Sequence, residues 1–392
     1  MIPRYAPTYT YSDLLKSLSK CQTDHLVSDL RFRLANLYKV KHVFLFSGAR
    51  VALYALLRAF NRPGDVVMPA YNCIAVPEAA LYAGYRPVFA DIDYNSLNMT
   101  ADTLKQSITS DTKVVLVTHQ FGIPCDVDEI LQVSRHHNVL VVEDVAAAIG
   151  ARYRGQLLGV FGDASIISFH STKVISGGMG GALLTNNDEL ARNIDFLLKS
   201  EGITRENGWR MFVRTLVWKT VTNSWVYPIV LSGYRTLRNE RMFEVISPHS
   251  DIPSKFLSLS SSFSSILIKL QLDRLDWNLE RRRKLAQIYT EELSEHSGVK
   301  FPIIPGECSP SWIQFPLMVT DKRAFYKHMQ RNHIDLNWTF RYSCTDSFKL
   351  NGFPNAHKAA HTVLGLPTYP SLSDEQAQYV CNVIKEYLSD SQ

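Results

Sequence analysis

Between residues 42 and 144, short apolar runs recur at regular intervals, each followed by a stretch of helical periodicity. The runs at 43–46, 66–69, 87–91, 114–118 and 139–144 predict strands buried on both faces. Apolar spacing over 49–60, 75–82, 103–108 and 127–137 predicts the helices between them, and an amphipathic helix over 13–38 precedes the series. Strands alternating with helices in this way predict an α/β fold built on a mostly parallel sheet covered on both faces. In such sheets a ligand lies beyond the carboxyl ends of the strands. Ser47, Pro69-Ala70-Tyr71, His119 and Asp144 all fall at or just after those ends.

After residue 198 the pattern changes. Residues 209–241 are aromatic, apolar and basic without strand alternation, and 257–265, rich in Ser and Leu, reads as a loop. A long helix is predicted over 264–294, a strand over 315–319, and helices over 322–332 and 374–388. We therefore expect a large domain over residues 1–245 and a smaller C-terminal alpha+beta domain over 246–392, in keeping with a chain of 392 residues.

Composition narrows the function classes. Hydrophobic content of 46% with 20% charged residues describes an ordinary globular protein, and a formal charge of +5 gives no reason to expect nucleic acid. The run Arg281-Arg282-Arg283-Lys284 reads as the solvated face of a helix rather than an anion site. Six scattered cysteines without a C-x-x-C pair argue against a disulfide framework or a metal site. The first seven residues carry no apolar signal core, and no run reaches the ~18 apolar residues of a membrane span, so a cytoplasmic location is expected.

The candidate chemistry centres on one lysine. A further apolar run, 164–169, leads into Ser168-Phe169-His170-Ser171-Thr172-Lys173-Val174-Ile175-Ser176-Gly177-Gly178-Met179-Gly180-Gly181. A lysine held behind a buried strand loses its proton more easily and can act as an amine nucleophile toward a carbonyl; the plainer alternative is a solvated loop lysine. Asp144 ends a very apolar strand, where a carboxylate either meets a cation such as a protonated pyridine nitrogen or caps the following turn. Ser47-Gly48-Ala49-Arg50 opens a helix, which makes an anion site of the backbone N–H groups with Arg50 adding charge, or is simply capped by Ser47. Ser168 either offers its hydroxyl to the same anion or bonds to backbone. His119 either touches a cofactor or is a satisfied core histidine. A reactive lysine, an aspartate partner and a phosphate-cradling helix start together point to pyridoxal 5'-phosphate.

These stretches resemble the DegT/StrS family of sugar aminotransferases, which are fold-type I pyridoxal-phosphate enzymes. The likeness runs through Phe46-Ser47-Gly48-Ala49-Arg50, Pro69-Ala70-Tyr71-Asn72-Cys73, His119-Gln120-Phe121-Gly122, Val142-Glu143-Asp144-Val145-Ala146-Ala147, the Ser168-to-Gly181 stretch, and Leu366-Pro367-Thr368-Tyr369-Pro370. The resemblance implies that Lys173 is the Schiff-base lysine, Asp144 the partner of the pyridine nitrogen, and Ser168 a phosphate ligand. Gly48, Ala49, Arg50, Tyr71 and His119 complete the expected cofactor site. It also implies a homodimer that moves an amino group, often from glutamate, to a nucleotide-linked keto sugar. Two other readings stay open: a pyridoxal-phosphate enzyme of another reaction type, such as dehydration, and a non-catalytic descendant of the fold.

The sequence departs from the family pattern at four places. Ala147 stands where glutamine or histidine is usual, and Met179 where glutamate is common. The aromatic that usually stacks on the ring near Cys73 is missing; either Tyr71 takes that role or no residue does. The Asn-x-Arg element that reaches into the partner's site has no counterpart at 257–259. Residues 209–238 hold three tryptophans and no acid; they suit a lid or dimer-interface segment, or else a weak contact with a membrane surface.

Overall fold

The computed structural model describes residues 1–20, 25–238, 245, 247–249 and 251–390, with the side chains of 234–238 left aside. The predicted strands assemble into a nine-stranded sheet. Its order is Thr204–Arg205, Ser258–Leu259, His42–Phe46, Gly181–Thr185, Ala164–Ser168, Leu140–Asp144, Thr112–Thr118, Asp65–Pro69, Arg86–Ala90. The five strands from Ala164–Ser168 to Arg86–Ala90 run parallel, and Gly181–Thr185 is inserted antiparallel beside them. Successive strand residues point to opposite faces. Phe44, Phe46, Val66, Met68, Val114 and Leu116 therefore join one core with the Ala49–Phe60 helix. Val43, Leu45, Val67, Val115 and Val117 join the other, which includes Leu30 and Leu34 of the His25–Tyr38 helix.

Two three-stranded sheets accompany the large one. Val299–Lys300, Phe315–Val319 and Val363–Leu366 form an antiparallel sheet, on which Leu285 and Tyr289 of the Leu275–Leu293 helix and Ile384 of the Asp374–Asp390 helix pack. The expected boundary at 245/246 touches residues 239–244 and 246, which lie outside the described residues. Beyond it, the Ser258–Leu259 strand still belongs to the large sheet, and the Ser262–Leu272 helix packs on the His25–Tyr38 helix.

Four expectations are corrected. The helix expected over 13–38 is two, Tyr11–Ser19 and His25–Tyr38, and residues 21–24 lie outside the described residues. The helix expected over 264–294 breaks after Leu272, where Arg274 leaves helical geometry and pairs with Asp13 at 2.7 Å; Leu272 and Leu275 are both buried, so the apolar rhythm runs on across the break. The Ser-rich stretch expected as a loop is a strand and a helix start. Its serines are hydrogen-bonding handles: Ser261 caps the helix through Ser264 N–H, and the Ser264 hydroxyl donates to Gly177 O at 2.8 Å. Finally, Arg281-Arg282-Arg283-Lys284 is not a solvated face, because Arg282 is only 3% exposed while Arg281 and Lys284 pair with Asp374.

Residues 209–238, left without a predicted element, form two helices, Gly208–Val221 and Tyr227–Arg238. Asn207 caps the first.

Candidate active site

Ser168 ends its strand opposite Gly181, so the lysine loop leaves and re-enters the sheet at one point. Phe169 N–H donates to Gly180 O and Gly177 N–H to Phe169 O, both at 2.9 Å, which closes the neck of the loop. The neck rests on the start of the Ala49–Phe60 helix. Gly48 bridges Gly180, and a Cβ on Gly181 would stand 2.3 Å from Gly48 C and 2.4 Å from Ala49 N. Only glycine allows strand and helix start to approach this closely. Gly48 is the N-cap and has no side chain to satisfy the first-turn N–H groups. Ser47 does not take that role: its N–H donates to Ser258 O and its Oγ accepts from the Ser258 hydroxyl at 2.7 Å.

Lys173 is half-buried within the loop, its N–H donating to His170 O at 2.9 Å. Burial pushes its ammonium below the usual lysine range, against the opposing pull of Cys73 and Asp144. Asp144 is buried, and burial pushes its carboxyl upward; the Ala146 N–H, Lys173, His119 and the Thr118 hydroxyl pull the other way. The two groups thus lie within electrostatic reach, and for each the cost of burial outweighs their mutual attraction. Asp144 also accepts the Ala146 N–H at 2.9 Å, so the local turn and the second oxygen share one carboxylate.

The other expected residues divide. Ser168 is buried and its Oγ accepts from His170 N–H at 3.4 Å. His119 has no exposed surface: Nδ1 accepts from Cys125 N–H at 3.1 Å, which leaves Nε2 to donate to Glu143 at 3.4 Å. The His119 backbone N–H donates to the Asp144 backbone carbonyl at 3.3 Å, and both ring nitrogens are engaged elsewhere. The Arg50 backbone is at the helix start, but its guanidinium is turned to Glu78 at 2.8 Å and stacks over Phe256. Tyr71 is wholly buried against Phe340 and Phe121, and its hydroxyl has no hydrogen-bond partner among the described residues.

Several residues beside Lys173 escaped the sequence reading. Arg4, Tyr5, Thr172, Arg282 and Thr368 line a narrow cleft with it. Arg282 donates to Asn278 Oδ1 at 2.7 Å and to the carbonyls of Trp312 and Ile313, and burial brings it down to about 9. A signal for it exists in the sequence: Arg282 falls within the buried helical stripe Leu275, Leu279, Leu285, Ala286 and Tyr289.

The Gly208–Val221 helix covers the glycine side of the loop. A Cβ on Gly178 would stand 2.3 Å from Thr215 Cγ2, and Met211 packs in one cluster with Tyr9 and Phe263. Lys219 Nζ donates to Pro7 O at 3.3 Å, next to the residues that line the cleft. The outer side carries Trp209, Val213, Val217, Trp225 and Ile229, with Trp225 86% exposed. Among the described residues no helix is long and apolar enough to cross a membrane.

A family model described as DegT/DnrJ/EryC1/StrS aminotransferase matches residues 13–242 and 257–385. The chain is 27% identical to GDP-perosamine synthase of Escherichia coli O157:H7, over 99% of each protein. It is 26% identical to dTDP-4-dehydro-2,6-dideoxy-D-glucose 3-dehydratase of Saccharopolyspora spinosa, over 84% of this chain and 71% of that one. Among solved structures it resembles Helicobacter pylori PseC, an aminotransferase involved in the biosynthesis of pseudoaminic acid, with a TM-score of 0.79 and 20% identity over 99% of each chain.

Proposed function

This chain belongs to the DegT/DnrJ/EryC1/StrS sugar aminotransferase family, whose enzymes use pyridoxal 5'-phosphate, and we propose that it transfers an amino group from an amino acid, glutamate being the expected donor, to a nucleotide-linked keto sugar. The observation that carries the reading is a lysine shifted toward its free amine, within electrostatic reach of a buried aspartate and beside a helix start that no side chain caps.

The residues present fit the cofactor. Space is open at the helix start, where a Cβ on Gly48 would meet nothing within 4 Å, and the close approach of Gly181 to Gly48 and Ala49 fixes that start against the strand. The uncapped N–H groups of Ala49 and Arg50, with the Ser168 hydroxyl, suit its oxygens. Asp144, buried at a cost that the pull of Lys173 only partly offsets, suits a protonated ring nitrogen. Bound there, the cofactor supplies an electron sink for the pair left behind when a proton leaves carbon next to nitrogen. Lys173 Nζ is the group placed to accept and return that proton, since its depressed affinity leaves free amine available closer to neutral pH. Asp144 stays ionised against the ring. His119, fixed by Cys125 and Glu143, keeps the ring's surroundings rigid beside it. Arg50 contributes through its backbone, its guanidinium being committed to Glu78.

We take the chain to work as a homodimer, with the outward residues of 209–238 at the contact between copies and the inner side acting as a lid on the lysine loop. A membrane surface is the alternative for the same outer face. Flotation of the protein with anionic liposomes at low salt separates the two, because a lid or interface segment stays unbound where electrostatic attraction is greatest.

The test of the function is release of 2-oxoglutarate from glutamate by the purified, cofactor-loaded protein, followed by amination of a nucleotide-linked keto sugar. A likeness to a sugar 3-dehydratase favours a second reading, in which the sugar loses water instead. No 2-oxoglutarate from glutamate, together with dehydration of the sugar, would replace the first reading by the second.

A further inference from the structure

Two cysteines far apart in the chain come together around the peptide that joins Asn72 to Cys73. Cys73 follows the Asp65–Pro69 strand and is the one exposed cysteine among the described residues. Cys344 opens the short Cys344–Ser347 helix and is 1% exposed. Its N–H donates to Ala70 O at 2.8 Å, and its thiol donates to Asn72 O at 3.2 Å. Peptide geometry puts that oxygen about 2.8 Å from the Cys73 Cα, so the Cys344 sulfur lies within about 6 Å of the same Cα. Rotation of the exposed Cys73 side chain and a shift of about 2 Å in its segment close that gap to a disulfide. Burial pushes the Cys344 thiol up, and Cys73 adds to the push. Cys73 also pulls on Lys173.

Hydrogen bonds run from this pair to Asp144. Asn72, whose carbonyl holds the Cys344 thiol, donates from Nδ2 to the Thr118 hydroxyl at 2.9 Å. That hydroxyl donates to Asp144 Oδ2 at 3.5 Å. Asn72 Oδ1 accepts the Cys73 N–H at 2.7 Å, so one side chain is tied to Cys73 at one end and to Thr118 at the other. Asn72 is buried, and a partner it loses is not replaced freely by water.

We propose that hydrogen peroxide joins Cys73 to Cys344 in a disulfide, and that this bond reversibly weakens the cofactor site. The Cys73 sulfur attacks one peroxide oxygen and the O–O bond breaks, leaving a sulfenic acid and water. The Cys344 sulfur then attacks the Cys73 sulfur, the S–O bond breaks, and the hydroxide leaves with the Cys344 proton as a second water. Two thiols are oxidised to one disulfide, and one peroxide is reduced to water. Cys344 gives up its bond to Asn72 O, and the shift of residues 72–73 draws Asn72 from Thr118 and so loosens Asp144. A transient disulfide of this kind suits a reducing compartment, where a permanent framework does not.

The test treats the full-length, cofactor-loaded protein with hydrogen peroxide and maps it by mass spectrometry without reduction. The expected product is a cross-linked peptide pair, Cys73 with Cys344, that dithiothreitol releases. Oxidised protein, stripped of cofactor and titrated again, should bind pyridoxal 5'-phosphate about tenfold more weakly than reduced protein, through the loss of one buried hydrogen bond. Dithiothreitol should restore the affinity. Cys344→Ser keeps a donor for Asn72 O and should stop at the Cys73 sulfenic acid, which dimedone traps. Cys73→Ser should keep its cofactor affinity through the same treatment. Thermal melting checks that both variants fold, and Cys73→Ser, at an exposed position, carries the test if Cys344→Ser does not. No link, a link between other cysteines, or a Cys73–Cys344 link with unchanged cofactor affinity overturns the inference. A reversible link that weakens the cofactor in a protein inert toward glutamate keeps the switch and overturns the aminotransferase reading instead.

Discussion

Gly181→Ala tests the link between backbone packing and cofactor binding. The added methyl would stand 2.3 to 2.6 Å from Gly48 C, Ala49 N and Gly48 O, all backbone atoms that no rotamer change can move away. Ordinary carbon contacts are about 3.5 Å, so the strand and the helix start must part by about 1 Å. Overpacking of this kind costs about 1–3 kcal/mol, which in a chain of this length moves the melting temperature by only about 1–4 °C. The effect on the site is larger. Displacing the uncapped helix start from Ser168, which pairs with Gly181, sacrifices one or two charge-assisted hydrogen bonds to the phosphate, about 1.5–3 kcal/mol each. Affinity for pyridoxal 5'-phosphate should therefore fall about 10- to 100-fold or more. Gly208→Ala is the control, because its Cβ would meet Phe263 Cβ at an ordinary 3.4 Å. Titration of the apo proteins with the cofactor, followed by absorbance, reads the difference. Gly181→Ala with wild-type affinity would refute the claim that this approach shapes the phosphate site.

Two further outcomes are expected. Asp144→Asn keeps the shape and removes the charge, so turnover should drop by orders of magnitude with a modest loss of cofactor affinity; wild-type turnover would show that Asp144 is only a turn cap. Burial beside Lys173 and Arg214 holds His170 down at about 4 in the fold, against about 6.5 in the unfolded chain. Between those values the unfolded chain takes up a proton that the fold refuses, so stability is full above about pH 6.5 and is lost as pH falls toward 4, by up to about 3 kcal/mol. His170→Gln should flatten that limb of the stability curve; an unchanged acid slope, measured by denaturation across pH 4–7, would count against a neutral, half-buried His170.

The alternation of strands and helices was legible because strands buried on both faces must be apolar throughout, and the lysine loop because four glycines in five residues have few other uses. What could not be read depends on partners distant in the chain. Arg282 looks like a surface charge until Trp312 O, Ile313 O and Thr368 are brought around it. The Arg50 guanidinium is drawn from the helix start by Glu78, and both His119 nitrogens are taken by Cys125 and Glu143. The helix break at Arg274 left no mark, because the apolar rhythm continues across it and the pull comes from Asp13. The polar stretch at 257–265 misled for a different reason: its serines hold a strand and a cap in place rather than facing water.

The central claim is that Lys173 holds the cofactor covalently. Borohydride reduction of the cofactor-saturated protein fixes that bond, and peptide mapping by mass spectrometry locates it. The account predicts the label on Lys173 alone and its loss in Lys173→Ala. A label on another lysine, or none on a saturated protein, would contradict it.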